Sequence, residues 1–164
     1  MTTTKDTDPK KVGFIGDTHA NLNWTVRAIK HLKNQGAEHI LQVGDFGYDP
    51  GRFGQSPFVM ELSDCLEAWD LSLWWIDGNH EDHAELRRLP VDSETGRVHL
   101  TEHVHYLPRG YQWTWNGINW MGVGGAVSVD KVWRTPGYDW FPEEALSRPE
   151  VDRIIKESKG ALRR

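Results

Sequence analysis

Three short polar clusters, each just after an apolar segment, contain the residues of this chain that are best suited to chemistry. The clusters are Gly16-Asp17-Thr18-His19, Val43-Gly44-Asp45-Phe46 and Ile76-Asp77-Gly78-Asn79-His80-Glu81. Asp17 and Asp45 offer carboxylates, His19 an imidazole and Asn79 a neutral amide oxygen. This set of oxygen and nitrogen donors, without a thiolate, suits Mn²⁺, Fe or Zn²⁺ better than it suits a soft metal.

The chemistry that such a set allows is phosphate-ester hydrolysis. A pair of divalent cations can clamp a phosphate, lower the pKa of a bridging water and stabilise the leaving oxygen. His80, next to Asn79, is placed to act as a general acid or to stabilise charge on phosphoryl oxygens. Taken singly, an Asp after a strand is most often a cap or turn residue. The joint occurrence after three consecutive predicted strands favours the metal site.

Alternating strands and helices are predicted around these clusters. In chain order, the predicted elements are a strand at 11–16, a helix at 21–35, a strand at 39–43, a helix at 57–68, a strand at 71–76 and a short helix at 82–89. This β-α repeat predicts a largely parallel sheet with covering helices, an α/β fold. In such sheets the functional site lies beyond the carboxyl ends of the strands, where all three clusters fall.

The pattern changes in the second half of the chain. Short strands are predicted at 103–107, 111–115 and 118–123, and Asn116-Gly117 is a strong signal for a two-residue hairpin turn. Alternation within 111–115 places three aromatic side chains on one face, as in an antiparallel strand with one covered face. A loop between the second cluster and the helix at 57–68, a second loop at 127–140 and a charged helix at 142–158 complete the assignment.

Length and composition predict one folded domain. The chain has 164 residues, of which 38% are hydrophobic and 26% charged, which is typical of a globular protein. We expect a flexible tail at 1–10 and a single domain at 11–164. Nine tryptophans are unusual for this length, and we assign them to core and interface packing.

Charge and hydropathy argue against two classes of protein. The formal charge is −5 and no long basic run occurs, so a dedicated nucleic-acid surface is not expected. No apolar run reaches the roughly 18 residues that a membrane crossing requires, and the first residues lack the apolar segment of a signal peptide. The single cysteine, Cys65, fits a reducing compartment, so we expect a cytoplasmic protein.

At this point the chain resembles a known family. Asp17-Thr18-His19, Gly44-Asp45 and Gly78-Asn79-His80-Glu81 are similar to the first three signatures of the calcineurin-like metallophosphoesterases. The resemblance extends to Leu107-Pro108-Arg109-Gly110 and to 124–130, a stretch similar to small bacterial and phage-encoded members. It implies a four-layer α-β-β-α sandwich with a two-metal site, and hydrolysis of phosphomonoesters or phosphodiesters by a metal-bound hydroxide.

The resemblance also implies roles for individual residues. Asp17 and His19 would bind the first metal, and Asp45 would bridge the two metals. Asn79 would bind the second metal, and His80 would be the catalytic histidine. Mn²⁺ is favoured as the metal, with Fe, Zn²⁺ and Ni²⁺ as alternatives.

Three further ligands that the family pattern supplies, a His on a later strand and a Gly-His-x-His motif, do not occur in the sequence up to Arg164. His103-Val104-His105 has the His-x-His spacing, but Glu102 replaces the Gly and the stretch precedes the hairpin. His83 is the better substitute ligand. We expect one well-formed metal site and a weak second site. The alternative function is a catalytically weak remnant that binds metal or phosphate and serves as an assembly or regulatory module.

The same resemblance predicts a C-terminally truncated second sheet. An apolar surface near Trp113, Trp115 and Trp120 would then stay uncovered, and we expect a homo-oligomer that covers it with a second copy.

Three smaller features each have two interpretations. Arg134, in the loop at 127–140, either contacts a substrate phosphate or is a solvated loop residue. Glu81 either orients His80 or is an exposed acid. Gly122-Val123-Gly124-Gly125 resembles a phosphate-cradling loop but lacks the Lys and Ser/Thr of a P-loop, which favours close packing at a strand end.

Overall fold

A five-stranded sheet is the centre of the fold in the computed structural model, which describes residues 8–49 and 56–161. The strands are β1 (Val12–Ile15), β2 (His39–Val43), β3 (Leu73–Ile76), β4 (Val98–His99) and β5 (Val104–Tyr106). Their spatial order is β1-β2-β3-β5-β4. The first three strands and β5 are parallel, and β4 is antiparallel at the edge. Most of the predicted tail at 1–10 and the middle of the loop before residue 57 lie outside the described residues.

Helices α1 (Leu22–Asn34) and α2 (Pro57–Ala68) make the crossovers between the parallel strands, as such connections require. The side chain of Asn21 accepts a hydrogen bond from the backbone N–H of Trp24 and so caps α1. Gly36, with a φ of +88°, follows the end of that helix, where a left-handed residue is favoured. Pro57 occupies the first turn of α2, where its missing N–H costs nothing.

The main core lies between these helices and one face of the sheet. Because side chains alternate along a strand, Leu73 and Trp75 face the helices, whereas Trp74 and Ile76 face the other side. Buried Ile29 of α1 and Leu62 of α2 pack against the first face. This core fixes the positions of the three strand ends from which the polar clusters project.

A two-stranded layer covers the other face of the sheet. Strands β6 (Tyr111–Trp115) and β7 (Ile118–Gly122) form an antiparallel hairpin. Its turn residues, Asn116 and Gly117, both have positive φ, as a two-residue hairpin turn requires. The ring of Trp74 lies 4.9 Å from that of Trp115 and 5.8 Å from that of Trp113. The predicted α/β class and the aromatic face of the hairpin are therefore confirmed.

The predicted start of the last helix is wrong, and one strand was not predicted. The last helix, α4, spans Arg148–Ala161 rather than 142–158, because Pro142–Glu144 forms a separate 3₁₀ turn and the chain is extended at Ala145. The edge strand β4 was not predicted, since two residues are too few to show a periodic pattern. The remaining elements are a short helix α3 (His83–Leu86) and a 3₁₀ turn at Lys131–Trp133.

The hairpin leaves part of the sheet uncovered. Phe14 of β1 is 52% exposed and Val43 of β2 is 51% exposed, although both lie in the central sheet. They line an apolar groove together with Trp120 and Met121 of β7. An uncovered apolar surface is thus present beside the second layer, as the sequence predicted.

Within the part of the chain that the structure describes, none of the helices has both the length and the apolar character needed to cross a bilayer.

Two buried histidines make the fold sensitive to acid. Burial lowers the pKa of His39 and of His105 to about 3, with a further contribution from Arg97 to His39 and from His99 to His105. In the unfolded chain both side chains take up protons near pH 6.5. Since the unfolded state then binds more protons, the free energy of unfolding must decrease as the pH falls from about 6.5 towards about 3.

We expect a loss of up to about 1.4 kcal/mol per pH unit for each of these histidines. Urea unfolding of the metal-free protein at a series of pH values between about 7 and about 5 would measure it. His105→Gln should reduce the slope, whereas His31→Gln, at an exposed position of α1, should leave it unchanged. Parallel pH profiles for the parent and His105→Gln would contradict the prediction.

Candidate metal centre

The loop after β1 is held against the loop after β2 by backbone hydrogen bonds. The N–H of Asp17 donates to the carbonyl of Gly44 at 3.1 Å, and the N–H of His19 donates to that of Asp45 at 2.9 Å. Buried Thr18 adds a hydroxyl hydrogen bond to the carbonyl of Phe46 at 2.9 Å. These contacts fix the first two polar clusters next to each other.

Several residues of these two loops have left-handed backbone conformations. The φ angles are +50° for Asp17, +42° for His19 and +52° for Asp45. Such angles are uncommon for residues other than glycine, although Asp and His tolerate them better than most. They cost free energy and are found preferentially at functional sites.

Asp45 connects the second loop to the third. Its Oδ1 accepts hydrogen bonds from the backbone N–H groups of Asn79 at 2.9 Å and His80 at 3.1 Å. Gly78 makes this approach possible, because a Cβ at that position would lie 2.1 Å from Asp45 Oδ1. The other oxygen, Oδ2, faces the first loop and lies 3.8 Å from His19 Nε2.

Ligand atoms of Asp17, His19 and Asp45 converge on one point. One atom from each side chain lies within 4.8 Å of the other two. Ligands that share an ion at bond lengths of about 2.0–2.2 Å are separated by at most about 4.4 Å, so small side-chain rotations suffice to bind one. Two carboxylates and an imidazole also match the donors that divalent metals such as Mn²⁺ and Zn²⁺ accept. The three residues therefore fit a divalent cation.

Asn79 and His80 border this group. Asn79 Nδ2 donates to the hydroxyl of Ser128 at 2.9 Å, which leaves the amide oxygen available for a cation. The imidazole of His80 lies edge-on to that of His19, with 4.9 Å between the ring centroids. The backbone bonds to Asp45 hold both residues beside the three converging ligands.

Arg134 lies against His80. Its NH2 is 2.8 Å from His80 Nε2 and its NH1 is 3.2 Å from Nδ1. A guanidinium can only donate and a neutral imidazole has one acceptor nitrogen, so only one of these two contacts is a hydrogen bond to the ring. NH2 also donates to Asp130 Oδ2 at 3.0 Å. The side chain of Arg134 is 10% exposed.

Glu81 is buried and joins two loops. Its carboxylate accepts hydrogen bonds from the backbone N–H groups of Phe46 at 2.5 Å and Gly78 at 2.7 Å. Burial raises its pKa to about 7, although these N–H groups favour the charged form. Neither sequence interpretation describes Glu81: it is not exposed, and its described hydrogen bonds go to backbone rather than to His80.

A buried ion pair behind the site was missed by the sequence analysis. Asp77 is 2% exposed, and its Oδ2 accepts a hydrogen bond from Arg109 Nε at 2.7 Å. Its Oδ1 accepts one from the hydroxyl of Tyr106 at 2.9 Å. A Cβ on Gly124 would lie 2.1 Å from Asp77 Oδ1. This confirms that the glycines at 122–125 serve close packing. The sequence contained two signals for this ion pair, which were an Asp at the end of a strand and an Arg in the Leu-Pro-Arg-Gly segment.

Among the described residues, the converging group does not include the other histidines considered as ligands. His83 is buried, with Nδ1 3.8 Å from Asp77 Oδ2. His103 directly precedes β5 and His105 is the middle residue of that strand, whereas Asp17, His19 and Asp45 follow the carboxyl ends of β1 and β2. His105 Nδ1 is 2.9 Å from a ring nitrogen of His99.

Fold and site together define an α/β protein with a candidate divalent-cation centre at the carboxyl edge of a parallel sheet. The chain belongs to the calcineurin-like phosphoesterase family, whose model matches residues 10–162. Members of this family are hydrolases that act on phosphate esters and use divalent metals. No significant match was found among curated proteins or among solved structures.

Proposed function

We propose that this protein hydrolyses phosphodiesters or phosphomonoesters with divalent metal bound by Asp17, His19 and Asp45. The observation that carries the proposal is the convergence of these three side chains within 4.8 Å in a chain of the calcineurin-like phosphoesterase family. We further assign Asn79 to a second metal and Asp45 to both, since Asp45 contacts the Asn79 loop through Oδ1. Mn²⁺ is our preferred metal, and the second site, with fewer protein ligands, is the weaker one.

Bound divalent cations supply charge neutralisation for phosphoryl oxygens and make a bound water more acidic. We assign proton donation to the leaving oxygen to His80, which lies beside His19. Arg134 is suited to holding a non-bridging phosphate oxygen, because its fork of N–H donors already reaches the edge of the site at His80. A substrate phosphate would replace His80 as the acceptor of these hydrogen bonds.

The direct test is hydrolysis of an aryl phosphodiester and an aryl phosphomonoester with added Mn²⁺. We expect the parent to be active, chelation to abolish the activity, and His80→Ala to reduce it by about 10²–10⁴-fold. His31→Ala, at an exposed position of α1, is the matched control and should retain activity. Metal-stimulated hydrolysis that is equal in the parent and His80→Ala would overturn the assignment. Mn²⁺ binding without hydrolysis would support the alternative of a metal-binding module without catalysis.

We also propose that the protein self-associates through the apolar groove beside β1, with a second copy as the occupant. The side chains that line the groove carry no charge, so a second apolar groove is a complementary surface. A two-fold dimer would bury Phe14 and Val43 of both copies in one self-complementary contact.

The unpaired Cys65 is in keeping with our further proposal of a cytoplasmic location.

Sedimentation velocity at micromolar concentration is expected to show a dimer. Phe14→Glu should shift the protein to monomer, because it places a charge in the groove. Val91→Glu, at an exposed apolar position that does not line the groove, should leave the dimer intact. A parent that sediments as a monomer throughout the micromolar range would count against the proposal.

A further inference from the structure

A chain of hydrogen bonds, part-buried at Asn79 and buried beyond it, runs from Asn79 away from the metal centre. Asn79 Nδ2 donates to Ser128 Oγ at 2.9 Å, and Ser128 Oγ donates to Glu144 Oε2 at 2.6 Å. The backbone N–H of Ser128 donates to the second carboxylate oxygen, Oε1, at 2.6 Å. Ser128 is buried and Glu144 is only 1% exposed. Ser128 lies in the stretch at 124–130 to which the family resemblance extends, whereas Glu144 lies outside every stretch that carries it.

The direction of these hydrogen bonds is determined by the carboxylate. An ionised carboxylate can only accept, and a serine hydroxyl has a single proton. The proton of Ser128 must therefore point at Glu144, which leaves Ser128 Oγ as an acceptor towards Asn79. If the side-chain amide of Asn79 were rotated by half a turn, Oδ1 would face Ser128 Oγ. No hydrogen bond could form there, because Ser128 already donates its only hydroxyl proton to Glu144. Glu144 thus selects the orientation in which Nδ2 faces Ser128 and Oδ1 faces away.

Glu144 itself is held by the buried ion pair. Its backbone carbonyl accepts a hydrogen bond from Arg109 NH2 at 2.9 Å, and Arg109 bonds to Asp77, two residues before Asn79. Gly125, with a φ of +91°, allows the segment to approach, since a Cβ there would lie 2.7 Å from the Glu144 carbonyl oxygen. The hydrogen bonds therefore form a closed circuit that begins and ends in the loop of Asn79.

The environment of Glu144 maintains its charge. Burial by itself favours the neutral form, but the hydrogen bonds from the Ser128 hydroxyl and N–H outweigh it, and the pKa of Glu144 is lowered.

We infer that Ser128 and Glu144 are positioning residues that orient the Asn79 amide and present its Oδ1 to the second metal. This inference rests on the proposed function, in which Asn79 is a ligand of that metal. Residues that orient a metal ligand commonly change metal affinity by about 10–100-fold when they are replaced. The first metal, on Asp17 and His19, lies outside the circuit and should be unaffected.

The test is a Mn²⁺ titration in which the electron paramagnetic resonance signal of the free ion reports how much metal is bound. We expect a tighter and a weaker class of site in the parent. Ser128→Ala and Glu144→Gln should each reduce the Mn²⁺ affinity of the weaker class of site about tenfold. The affinity of the tighter class should stay unchanged. The Gln amide can donate to Ser128, so the hydroxyl proton is no longer confined and the Asn79 amide can turn over. Ser128→Thr, which keeps the hydroxyl, should bind within about twofold of the parent.

Asn79→Ala tests the ligand role of Asn79 separately from the positioning role of Ser128 and Glu144. It should remove the weaker class, and adding Ser128→Ala to it should have no further effect, since the orienting residue then has nothing to orient. Unchanged binding in Asn79→Ala would overturn the assignment of Asn79 and with it the proposed second site. Weakened binding in Asn79→Ala, with parent-like binding in Ser128→Ala and Glu144→Gln, would overturn the positioning role alone. Equal weakening of both classes, together with a lower melting temperature, would also overturn it and indicate a general structural role.

Discussion

Replacing Asp45 with Asn is expected to reduce metal-dependent phosphate-ester hydrolysis by about three orders of magnitude, the equivalent of several kcal/mol of barrier. The Asn side chain has the same shape and keeps one oxygen for the hydrogen bonds from the N–H groups of Asn79 and His80. Its amide nitrogen, however, cannot bind a cation, and the negative charge shared by both proposed metals is lost. Steady-state rates with an aryl phosphodiester, at several Mn²⁺ concentrations, would measure the effect.

Asp70→Asn is the matched control for this substitution. Asp70 is exposed and has a left-handed φ of +53°, almost the same as that of Asp45, but it follows α2 and is not part of the centre. Asp70→Asn therefore makes the same chemical change at a similar backbone angle outside the centre, and it should retain the activity of the parent. Chelation of the parent should reproduce the Asp45→Asn rate, and excess Mn²⁺ should restore the parent but not the variant. Retention of more than about a tenth of the parent activity would refute the assignment of Asp45.

Arg109→Met is expected to lower the free energy of unfolding by about 3–5 kcal/mol. The reason is that the carboxyl group of Asp77, buried behind the site, would lose its partner, which is far more costly than losing a surface ion pair. Met fills most of the volume of the Arg stem but cannot replace its hydrogen bonds to Asp77 and to the carbonyl of Glu144. Urea unfolding monitored by tryptophan fluorescence would measure the loss.

A surface ion pair of the same chemistry provides the comparison. Arg148 and Asp152 lie 3.2 Å apart on α4 with largely exposed side chains, so Arg148→Met should cost less than about 1 kcal/mol. Adding Asp77→Asn to Arg109→Met should recover part of the lost stability, because the uncompensated charge is removed. Similar losses for Arg109→Met and Arg148→Met would show that burial of the Asp77 pair has no special energetic role.

The sequence predicts the first half of this fold well because local signals and tertiary structure agree there. Each of β1, β2 and β3 is a short, largely apolar run followed by Gly-Asp or Asp-Gly. The helix starts also carry clear signals, which are the Asn21 cap of α1 and Pro57 in the first turn of α2. The start of α4 was predicted wrongly because Pro142-Glu143-Glu144 has the proline and acidic residues of a helix N-terminus. Those residues form one 3₁₀ turn instead, and the carboxylate of Glu144 is buried against Ser128.

The convergence of Asp17, His19 and Asp45 was also predictable, since residues that follow neighbouring parallel strands meet at one edge of the sheet. Their supporting residues were not. Asp77 and Arg109 are 32 residues apart, and Ser128 and Glu144 are 16 apart. No periodicity links such pairs, and each residue type has ordinary surface interpretations. Only the tertiary contacts reveal that they are buried partners.

The left-handed backbone of the loops after β1 and β2 limits which substitutions these loops can accept during evolution. Four of the six described non-glycine residues with positive φ are Asp17, His19, Ala20 and Asp45. Glycine would relieve the conformational strain at each of these positions but would remove a proposed metal ligand at three of them. Selection for folding stability alone would therefore erode the centre first. At Asp17, His19 and Asp45, a substitution that increases folding stability would therefore reduce the proposed metal binding.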